Sequence, residues 1–282
     1  MENILLNRIN QYKATTNKEY INAIREVIQE LTLFSLSKTD FFTKVAFLGG
    51  TALRIFYDLD RASEDLDFSL IKKDKNFSLD DYLPAIEKNM NAFGLAVSVQ
   101  SKKSIGAVQS AFVKGDTITN LINIGLNEEL SKRLGHISSI KVKIEIDTNP
   151  PSGATFEYKY GLFPSPYRVL IYDESSLLAG KLHALLCRNW TKGRDYYDYV
   201  FYLNRGTKPN MDLLKNSLIQ TGFLKSDCDY NIDNLKADLI NRLDSVDFEE
   251  AKKDCSSFIK NENKLSLWNK DFFVSITSNY LN

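Results

Sequence analysis

The sequence reads Phe47-Leu48-Gly49-Gly50-Thr51 and then, one helix length later, Ser63-Glu64-Asp65-Leu66-Asp67-Phe68. In the second segment acidic and apolar residues alternate with a period of two. In a β-strand this places Asp65 and Asp67 on one face and their apolar neighbours on the other. Two carboxylates about 7 Å apart along a strand can hold Mg²⁺ between them. The alternation therefore predicts a metal site on one face of a strand.

The residues upstream predict a short buried strand over 45–48 and a helix over 51–60, with Gly49 and Gly50 in the turn between them. Backbone N–H groups at a helix start, with no Cβ in the way, suit a phosphate. A Gly-Gly turn alone is common, and an isolated Asp-x-Asp pair is usually a solvated strand edge. The order of strand, glycine turn, helix and acidic strand is less common, and it predicts a site for a metal-bound nucleoside triphosphate.

These two segments, read as Gly49-Gly50-Thr51-Ala52-Leu53 and Arg61-Ala62-Ser63-Glu64-Asp65-Leu66-Asp67-Phe68, resemble the AbiEii/AbiGii toxin family. That family has a DNA polymerase beta-like nucleotidyltransferase fold and includes the MenT toxins. The resemblance implies that Thr51 supplies the hydroxyl that polymerase beta-like enzymes typically take from a serine. It also implies that Ser63 lies close to the transferred phosphate, either binding the triphosphate or being modified, and that Arg61 contacts phosphate.

A third carboxylate is normally wanted beside such a pair, and the strand predicted over 140–147 offers two candidates. Its apolar residues stand at even positions and its charges at odd ones, so Glu145 and Asp147 share the charged face. The stretch Lys143-Ile144-Glu145-Ile146 resembles the family's strand with a central acid, which favours Glu145 and leaves Asp147 in reserve. A charged strand facing solvent explains the same pattern without a metal.

Lys181 lies between Leu177 and Leu185 on a helical wheel, a position from which a lysine commonly snorkels to solvent. The segment that contains it, residues 178–185, resembles the family's Lys-Leu-x-Ala-Leu, whose lysine is expected to meet the triphosphate. A compact ammonium suits that task. We therefore predict phosphate binding by Lys181 and leave Arg188, on the same line of the helix, open.

The segment Arg194-Asp195-Tyr196-Tyr197-Asp198 resembles the family's Arg-Asp-x-x-Asp motif. Asp195 is either an ordinary N-cap or a second polar anchor that orients Lys181 or the acceptor, and the resemblance favours the anchor. Asp198 is equally compatible with a first-turn acid that complements the helix dipole, so its role and that of Arg194 stay open. The aromatic residues Tyr196, Tyr197, Tyr199, Phe201 and Tyr202 are expected to pack in the core.

The composition limits the chemistry further. The 282 residues include three cysteines without a Cys-x-x-Cys pair and only two histidines, which argues against a disulfide framework, a zinc ribbon or a multi-histidine site. Any metal must then rely on oxygen ligands, which favours Mg²⁺ or Mn²⁺. No apolar run is long enough to cross a bilayer, so we expect a soluble, cytoplasmic protein without a membrane partner. The 36 basic and 36 acidic residues give zero net charge, with no overall polycation.

The predicted fold class is α/β (α+β). We expect a polymerase beta-like nucleotidyltransferase core with a mixed sheet over residues 1–165. A mainly helical half over 166–282 is expected to contribute Lys181 and Asp195 to the site. Further helices are predicted at 17–34, with Asn17 as N-cap, and at 79–93, 211–224, 231–243 and 247–259. Further strands are predicted at 95–100, 111–124 and 167–172, with turns at Gly106 and at 114–116.

The resemblance implies the toxin half of a toxin–antitoxin or phage-defence (abortive infection) pair with a separately encoded antitoxin. Its reaction would move a nucleoside monophosphate from an NTP to an acceptor hydroxyl, first of all the 3′ end of tRNA. Asp65, Asp67 and Glu145 would hold the metal; Gly49, Gly50, Thr51, Arg61, Ser63 and Lys181 would hold the nucleotide. Transfer to a small molecule or a protein hydroxyl is the second hypothesis, and the neutral net charge fits it somewhat better than RNA. A catalytically silent binding protein is the third.

Overall fold

The computed structural model describes residues 4–116, Leu134 and residues 139–281. The chain forms two compact units. The first contains Met1–Tyr57, Ser63–Pro150 and Tyr158–Ile171, and the second contains Asp58–Ala62, Pro151–Glu157 and Tyr172–Asn282. The predicted division into two halves was a single cut after residue 165. In the structure the second unit also includes two short segments that come earlier in the chain.

The first unit is built on a mixed sheet. Its helices are α1 (Ile4–Gln11), α2 (Asn17–Ser37), α3 (Phe41–Lys44), α4 (Gly49–Phe56) and α5 (Leu83–Ala92), and the strands are β1 (Val45–Leu48), β2 (Leu66–Leu70), β3 (Val97–Ile105), β4 (Val108–Asp116), β5 (Ser139–Asp147), β6 (Phe156–Gly161) and β7 (Tyr167–Tyr172). The seven described strands have the order β3-β4-β5-β2-β1-β7-β6. Strand β1 is antiparallel to β2 and parallel to β7, and β2 is parallel to β5. Strand β4 is antiparallel to both β3 and β5. The predicted mixed sheet is confirmed.

The N-cap of helix α2 lies one residue before the predicted one. Thr16, not Asn17, is the N-cap, and its hydroxyl accepts a hydrogen bond from the backbone N–H of Glu19 at 3.3 Å. The Glu19 carboxylate in turn accepts from the N–H of Thr16 at 3.1 Å. This reciprocal capping box satisfies two N–H groups that an uncapped helix would leave without partners. Threonine followed three residues later by glutamate was the signal that the prediction overlooked.

Other element boundaries moved for identifiable reasons. Helix α4 begins at Gly49 and ends at Phe56, so the predicted span 51–60 was shifted. The predicted helix 79–93 is a 3₁₀ turn, Leu79–Asp81, followed by α5 with Pro84 in its first turn. The predicted turn at 114–116 was wrong, because Gly115 pairs with Ile140 inside β4. The predicted strand 111–124 corresponds to β4, and its residues 117–124 lie outside the described part.

The second unit is mainly helical, as predicted. Its helices are α6 (Glu174–Cys187), α7 (Gly193–Asn204), α8 (Met211–Gln220), α9 (Ile232–Leu243), α10 (Phe248–Ser256) and α11 (Lys270–Tyr280). Five of them begin at an Asp or Asn whose side chain accepts a backbone N–H, namely Asp173, Asn210, Asn231, Asp247 and Asn269. The helix starts predicted at 211, 231 and 247 lie within one residue of those observed, and these short polar side chains cap them. No helix in the described part of the chain is both long and apolar enough to span a bilayer.

Helices α7 and α10 come into close backbone contact at Gly193, where any Cβ would collide with the carbonyl oxygen of Ala251. Behind this contact lies an aromatic core in which the ring of Phe273 lies 5.4 Å from Tyr196 and 5.2 Å from Phe248. Tyr196, Tyr197, Tyr199 and Tyr202 are all buried, which confirms that they pack in the core, whereas Phe201 is only half-buried.

The core of the first unit depends on Phe41, which is fully buried and contacts the rings of Phe68 and Tyr82 at 5.2 and 5.0 Å. We expect Phe41→Ala to lower the free energy of unfolding of this unit by about 3–5 kcal/mol, because it removes a large ring and leaves a cavity. The control is Tyr160→Ala, at a side chain that is 67% exposed, for which we expect a change within about 0.5 kcal/mol. Denaturant unfolding followed by circular dichroism measures both. Equal effects of the two substitutions would contradict the assignment of Phe41 to the core.

Candidate functional site

The carboxylates of Asp67 and Glu145 lie on neighbouring strands. Asp67 in β2 is the direct register partner of Glu145 in β5, and the two strands are parallel. Paired residues of adjacent strands project to the same face and lie about 4.8 Å apart across the sheet. Both side chains are half-buried. Two acids that sequence analysis took from segments 78 residues apart are therefore brought together on one face.

Gly49 is required by its closeness to this acidic pair. Its φ of +84° is a conformation that favours glycine, and an added Cβ would lie 2.9 Å from the Cβ of Asp67 and collide with the carboxylate. The preceding residue, Leu48, is the register partner of Asp67 on the other side of β2. Gly49 and Asp67 therefore lie close together at the start of α4, and the predicted site requires this proximity.

The two hydroxyl residues predicted to bind phosphate, Thr51 and Ser63, have structural contacts. Thr51 is buried, and its hydroxyl donates a short hydrogen bond to the carbonyl of Asp65. The carbonyl of Ser63 accepts from the side-chain amide of Gln29 at 3.2 Å. Strand β2 begins only at Leu66, so Ser63 and Asp65 both precede the strand. The phosphate-binding roles of Thr51 and Ser63 stay predictions.

The structure distinguishes the two candidates for the third carboxylate by their contacts. Asp147 accepts the backbone N–H of Asn149 at 2.8 Å and so closes the turn after β5. Glu145 instead forms an ion pair of 2.7 Å with Lys143, and both side chains are about one-third exposed. Glu145 is also the direct neighbour of Asp67, whereas Asp147 pairs with Ser69. These contacts favour Glu145 as the metal ligand, which stays a prediction.

The carboxylate oxygens of Asp67 and Glu145 are the donors that Mg²⁺ prefers, and Gly49 leaves space beside one of them. Among the described residues, no group of three or more acidic, histidine or cysteine side chains is placed to hold a metal by itself. Mg²⁺ is commonly held by one or two carboxylates together with substrate phosphates. The arrangement therefore fits a metal that arrives with a nucleotide.

The second unit contains a buried ionic network around Lys181. Its ammonium lies 2.9 Å from Asp195 Oδ1 and 2.8 Å from Asp198 Oδ2. Asp198 also accepts two hydrogen bonds from Arg61, at 2.6 and 2.7 Å, and Arg61 donates a third to the carbonyl of Ala62 at 2.9 Å. We call Arg61, Lys181, Asp195 and Asp198 the ionic network. It links positions that are 137 residues apart in sequence.

The charges of the ionic network stabilise one another against burial. Burial opposes the ionised form of Asp198, but Arg61 and Lys181 outweigh it and lower the pKa of the carboxyl. Burial likewise disfavours the charged form of Lys181, and Asp195 and Asp198 outweigh it and raise the pKa of the ammonium. The pKa of Asp195 is lowered against its own burial, chiefly by Lys181. All four groups are therefore charged at neutral pH.

The alternative interpretations of the Arg-Asp-x-x-Asp motif can now be judged. Helix α7 begins at Gly193 with Lys192 as N-cap, so Asp195 is not the cap. Asp198 is completely buried and paired, which excludes a simple exposed first-turn acid. The spacing of three residues places the two acids on one helix face. This spacing was the feature of the sequence that could have indicated a shared role for Asp195 and Asp198.

Arg61, Arg188 and Arg194 are the arginines near the motif, and each has contacts in the second unit. Arg61 is 2% exposed and all its described contacts are to Asp198 and Ala62, so its predicted phosphate contact stays a prediction. Arg188 Nε lies 3.2 Å from Asp195 Oδ2 without hydrogen-bond geometry. The guanidinium of Arg194 lies 3.9 Å from the ring centroid of Phe258.

The geometry can now be compared with known proteins. A family profile described as nucleotidyl transferase AbiEii toxin of type IV toxin–antitoxin systems matches residues 31–273. The chain belongs to the AbiEii family. It is therefore a nucleotidyltransferase, and the toxin–antitoxin family predicted from the glycine and aspartate motifs is confirmed. No curated protein sequence matches it.

Two solved structures are similar in fold to this chain. The crystal structure of a proposed nucleotidyltransferase from H. pylori is 18% identical, with a TM-score of 0.51, and the match covers 90% of this chain and 92% of that one. The crystal structure of JHP933 from Helicobacter pylori is also 18% identical, with a TM-score of 0.49 and coverages of 91% and 88%. The first similarity confirms the predicted nucleotidyltransferase fold of this AbiEii-family chain.

The ionic network makes a prediction about pH. Asp198 has a folded-state pKa below the unfolded value of about 3.9, so its stabilising contribution is complete above pH 4 and is lost as pH falls through the folded pKa. We expect Asp198→Asn to cost about 3–5 kcal/mol at pH 7, because it leaves two buried cations with one fewer partner. The difference from the unsubstituted protein should shrink below pH 4.

Both tryptophans, Trp190 and Trp268, lie in the second unit, so their fluorescence during denaturant unfolding reports on it. The control is Asp227→Asn, at an exposed position of the same unit, with an expected change within about 0.5 kcal/mol at every pH. A cost below about 1 kcal/mol for Asp198→Asn at pH 7 would show that the network contributes little, as most surface pairs do.

Proposed function

We propose that this AbiEii-family nucleotidyltransferase moves a nucleoside monophosphate from an NTP to the 3′-terminal hydroxyl of a tRNA in the presence of Mg²⁺. Asp65, Asp67 and Glu145 hold the metal in this proposal. A separately encoded antitoxin counteracts the toxin. Membership of a toxin–antitoxin family of nucleotidyl transferases supports the reaction class and the antitoxin. The tRNA acceptor and the requirement for Mg²⁺ are part of our proposal.

The observation that carries the proposal is the register of Asp67 with Glu145 beside the turn at Gly49. When bound, Mg²⁺ neutralises charge on the reacting phosphate and lowers the pKa of the attacking hydroxyl. The paired carboxylates provide oxygen donors on a half-exposed sheet face. Asp65 immediately precedes β2, two residues before Asp67, and is proposed as a further ligand beside Asp67 and Glu145.

The chain's own groups then account for nucleotide binding and proton transfer. The backbone N–H groups of Gly49 and Gly50 at the start of α4 are proposed to donate to the triphosphate, where the helix dipole favours negative charge. Glu145 is proposed to accept the proton of the acceptor hydroxyl at a carboxylate oxygen. Its ion pair with Lys143 holds that carboxylate in place.

Lys181 is proposed to bind the triphosphate, and Asp195 is proposed to orient Lys181. An ammonium has three N–H donors, and among the described residues two of those of Lys181 are directed to Asp195 and Asp198. The third suits a phosphate oxygen. Because the two acids hold the lysine charged, its positive charge is present over the whole neutral pH range.

The proposal is tested by incubating the protein with Mg²⁺, a tRNA pool and each α-labelled NTP in turn. We expect label at the tRNA 3′ end, and we expect Glu145→Gln to lower the transfer rate by about 100-fold or more, since it removes several kcal/mol of transition-state stabilisation. The matched control is Asp147→Asn on the same face of β5, for which we expect a change of only a few fold. The reverse ranking would assign the third carboxylate to Asp147.

Other results of this assay would decide between acceptors. Label on protein would redirect the proposal to a protein hydroxyl or to Ser63. Label on a small molecule added from an extract would support the corresponding transferase. No transfer with any NTP and no effect of Asp67→Asn on toxicity in cells would support a silent binding protein.

A separate prediction concerns Lys181. We expect Lys181→Ala to raise the KM for the NTP by about 10-fold or more, because a charge-assisted contact to phosphate is lost. The control is Lys208→Ala, at an exposed lysine of the same unit, with unchanged KM. Tryptophan fluorescence separates the role from folding: a variant that remains folded at the assay temperature with an unchanged KM would show that Lys181 only stabilises its unit.

A further inference from the structure

One face of the antiparallel part of the sheet carries lysines around an aromatic ring. Lys102 of β3, Phe112 and Lys114 of β4, and Lys141 and Lys143 of β5 form what we call the lysine face. Because residues two apart on a strand share a side, and register partners share it across strands, all five project from the same face of the sheet. The chain as a whole has zero net charge, so this is a local concentration.

The register places three parallel rows on this face. Ser98 pairs with Lys114 and Lys114 with Lys141; Gln100 pairs with Phe112 and Phe112 with Lys143; Lys102 pairs with Ser110 and Ser110 with Glu145. The last row continues to Asp67. Rows lie about 7 Å apart and strands about 4.8 Å apart. The lysine face therefore adjoins the proposed metal ligands without interruption.

The lysine face is open to solvent and its reverse is not. Lys102 and Lys141 are exposed, and Phe112, Lys114 and Lys143 are half-exposed. On the opposite side of the same strands the apolar residues Ala111, Val113, Val142 and Ile144 are buried. The alternation that builds the core thus leaves the lysines no role in packing.

The contacts within the lysine face arrange its charge around the ring. The ammonium groups of Lys102 and Lys114 lie 5.9 and 5.7 Å from the ring centroid of Phe112, and Lys114 also donates to Gln100 at 3.2 Å. Lys143 is paired with Glu145. The only carboxylates among the described residues of these three rows are those of Glu145 and Asp67, at the end of the row that begins with Lys102.

We infer that the lysine face binds the RNA acceptor, with its lysines on backbone phosphates and Phe112 against an unstacked base near the 3′ end. The inference rests on the proposed function, since it takes the acceptor to be RNA. A positively charged groove or surface with an aromatic side chain on which bases stack is the usual way to hold single-stranded nucleic acid. Lysine is depleted in protein–protein interfaces, so these residues fit a polyanion better than a protein partner.

The test measures RNA binding without NTP, so that it does not depend on catalysis. The probe is a fluorescein-labelled RNA hairpin with four unpaired nucleotides at its 3′ end, and anisotropy gives the dissociation constant of the full chain at several salt concentrations. The test variant is K102Q/K114Q/K141Q, which leaves Lys143 and the metal ligands intact. The control is K72Q/K73Q/K75Q, which removes the same charge from exposed positions of the same unit.

We expect the test variant to reduce the slope of log affinity against log salt by about 2, since each phosphate contact to a single strand contributes about 0.7. The control should leave the slope unchanged. Phe112→Leu should weaken binding by about tenfold at constant slope, because stacking is lost and charge is not.

Equal slopes for the test and control variants would overturn the inference while leaving nucleotide transfer, measured separately, unaffected. Loss of antitoxin binding in the test variant with unchanged RNA binding would also overturn it, in favour of a protein partner. Salt-dependent RNA binding lost only in the test variant would support the inference even if no nucleotide were transferred to tRNA, in which case the proposed function would fail alone.

Discussion

The parallel pairing of β2 with β5 is the constraint on which the candidate site depends. Leu66 and Phe68 must face the core opposite Ile144 and Ile146, and a slip of one residue would turn every side chain of β2 to the wrong face. The buried apolar residues therefore fix the register, and the register fixes the acids: Asp67 falls beside Glu145 only in this pairing. Hydrophobic burial, which has no chemical specificity of its own, in this way positions the polar groups that bear the chemistry.

The ionic network of the second unit follows a different physical logic. Removing Arg61, Lys181, Asp195 and Asp198 from water is costly, and mutual attraction repays the cost only when every partner is present. Apolar residues of similar volume would serve folding equally well. A network of four charges with Lys181 still 15% exposed is therefore better explained by a need for a fixed, permanently charged ammonium than by stability.

Local pattern predicted much of this structure, and long-range pairing decided the rest. The period of two located β2 and β5, and three helix starts of the second unit lie within one residue of their predicted positions. The pairing of Asp67 with Glu145, and of Arg61 with Asp198, depends on contacts 78 and 137 residues apart that no local pattern encodes. The segment 114–116 shows the conflict directly, because glycine and aspartate favour a turn locally and pairing with β5 overrides that preference.

Net charge alone does not discriminate between the possible acceptors. A composition of 36 basic and 36 acidic residues was taken to fit a small molecule somewhat better than RNA, but composition says nothing about placement. The two carboxylates that we propose as metal ligands would by themselves repel a polyanion. On this sheet the alternation that exposes Asp67 and Glu145 also exposes Lys102, Lys114, Lys141 and Lys143 on the same face. These lysines, on the same strand as Glu145 or within two strands of it, oppose the repulsion of a polyanion by the acids. Zero net charge is thus compatible with a sheet face on which positive and negative charges are separated.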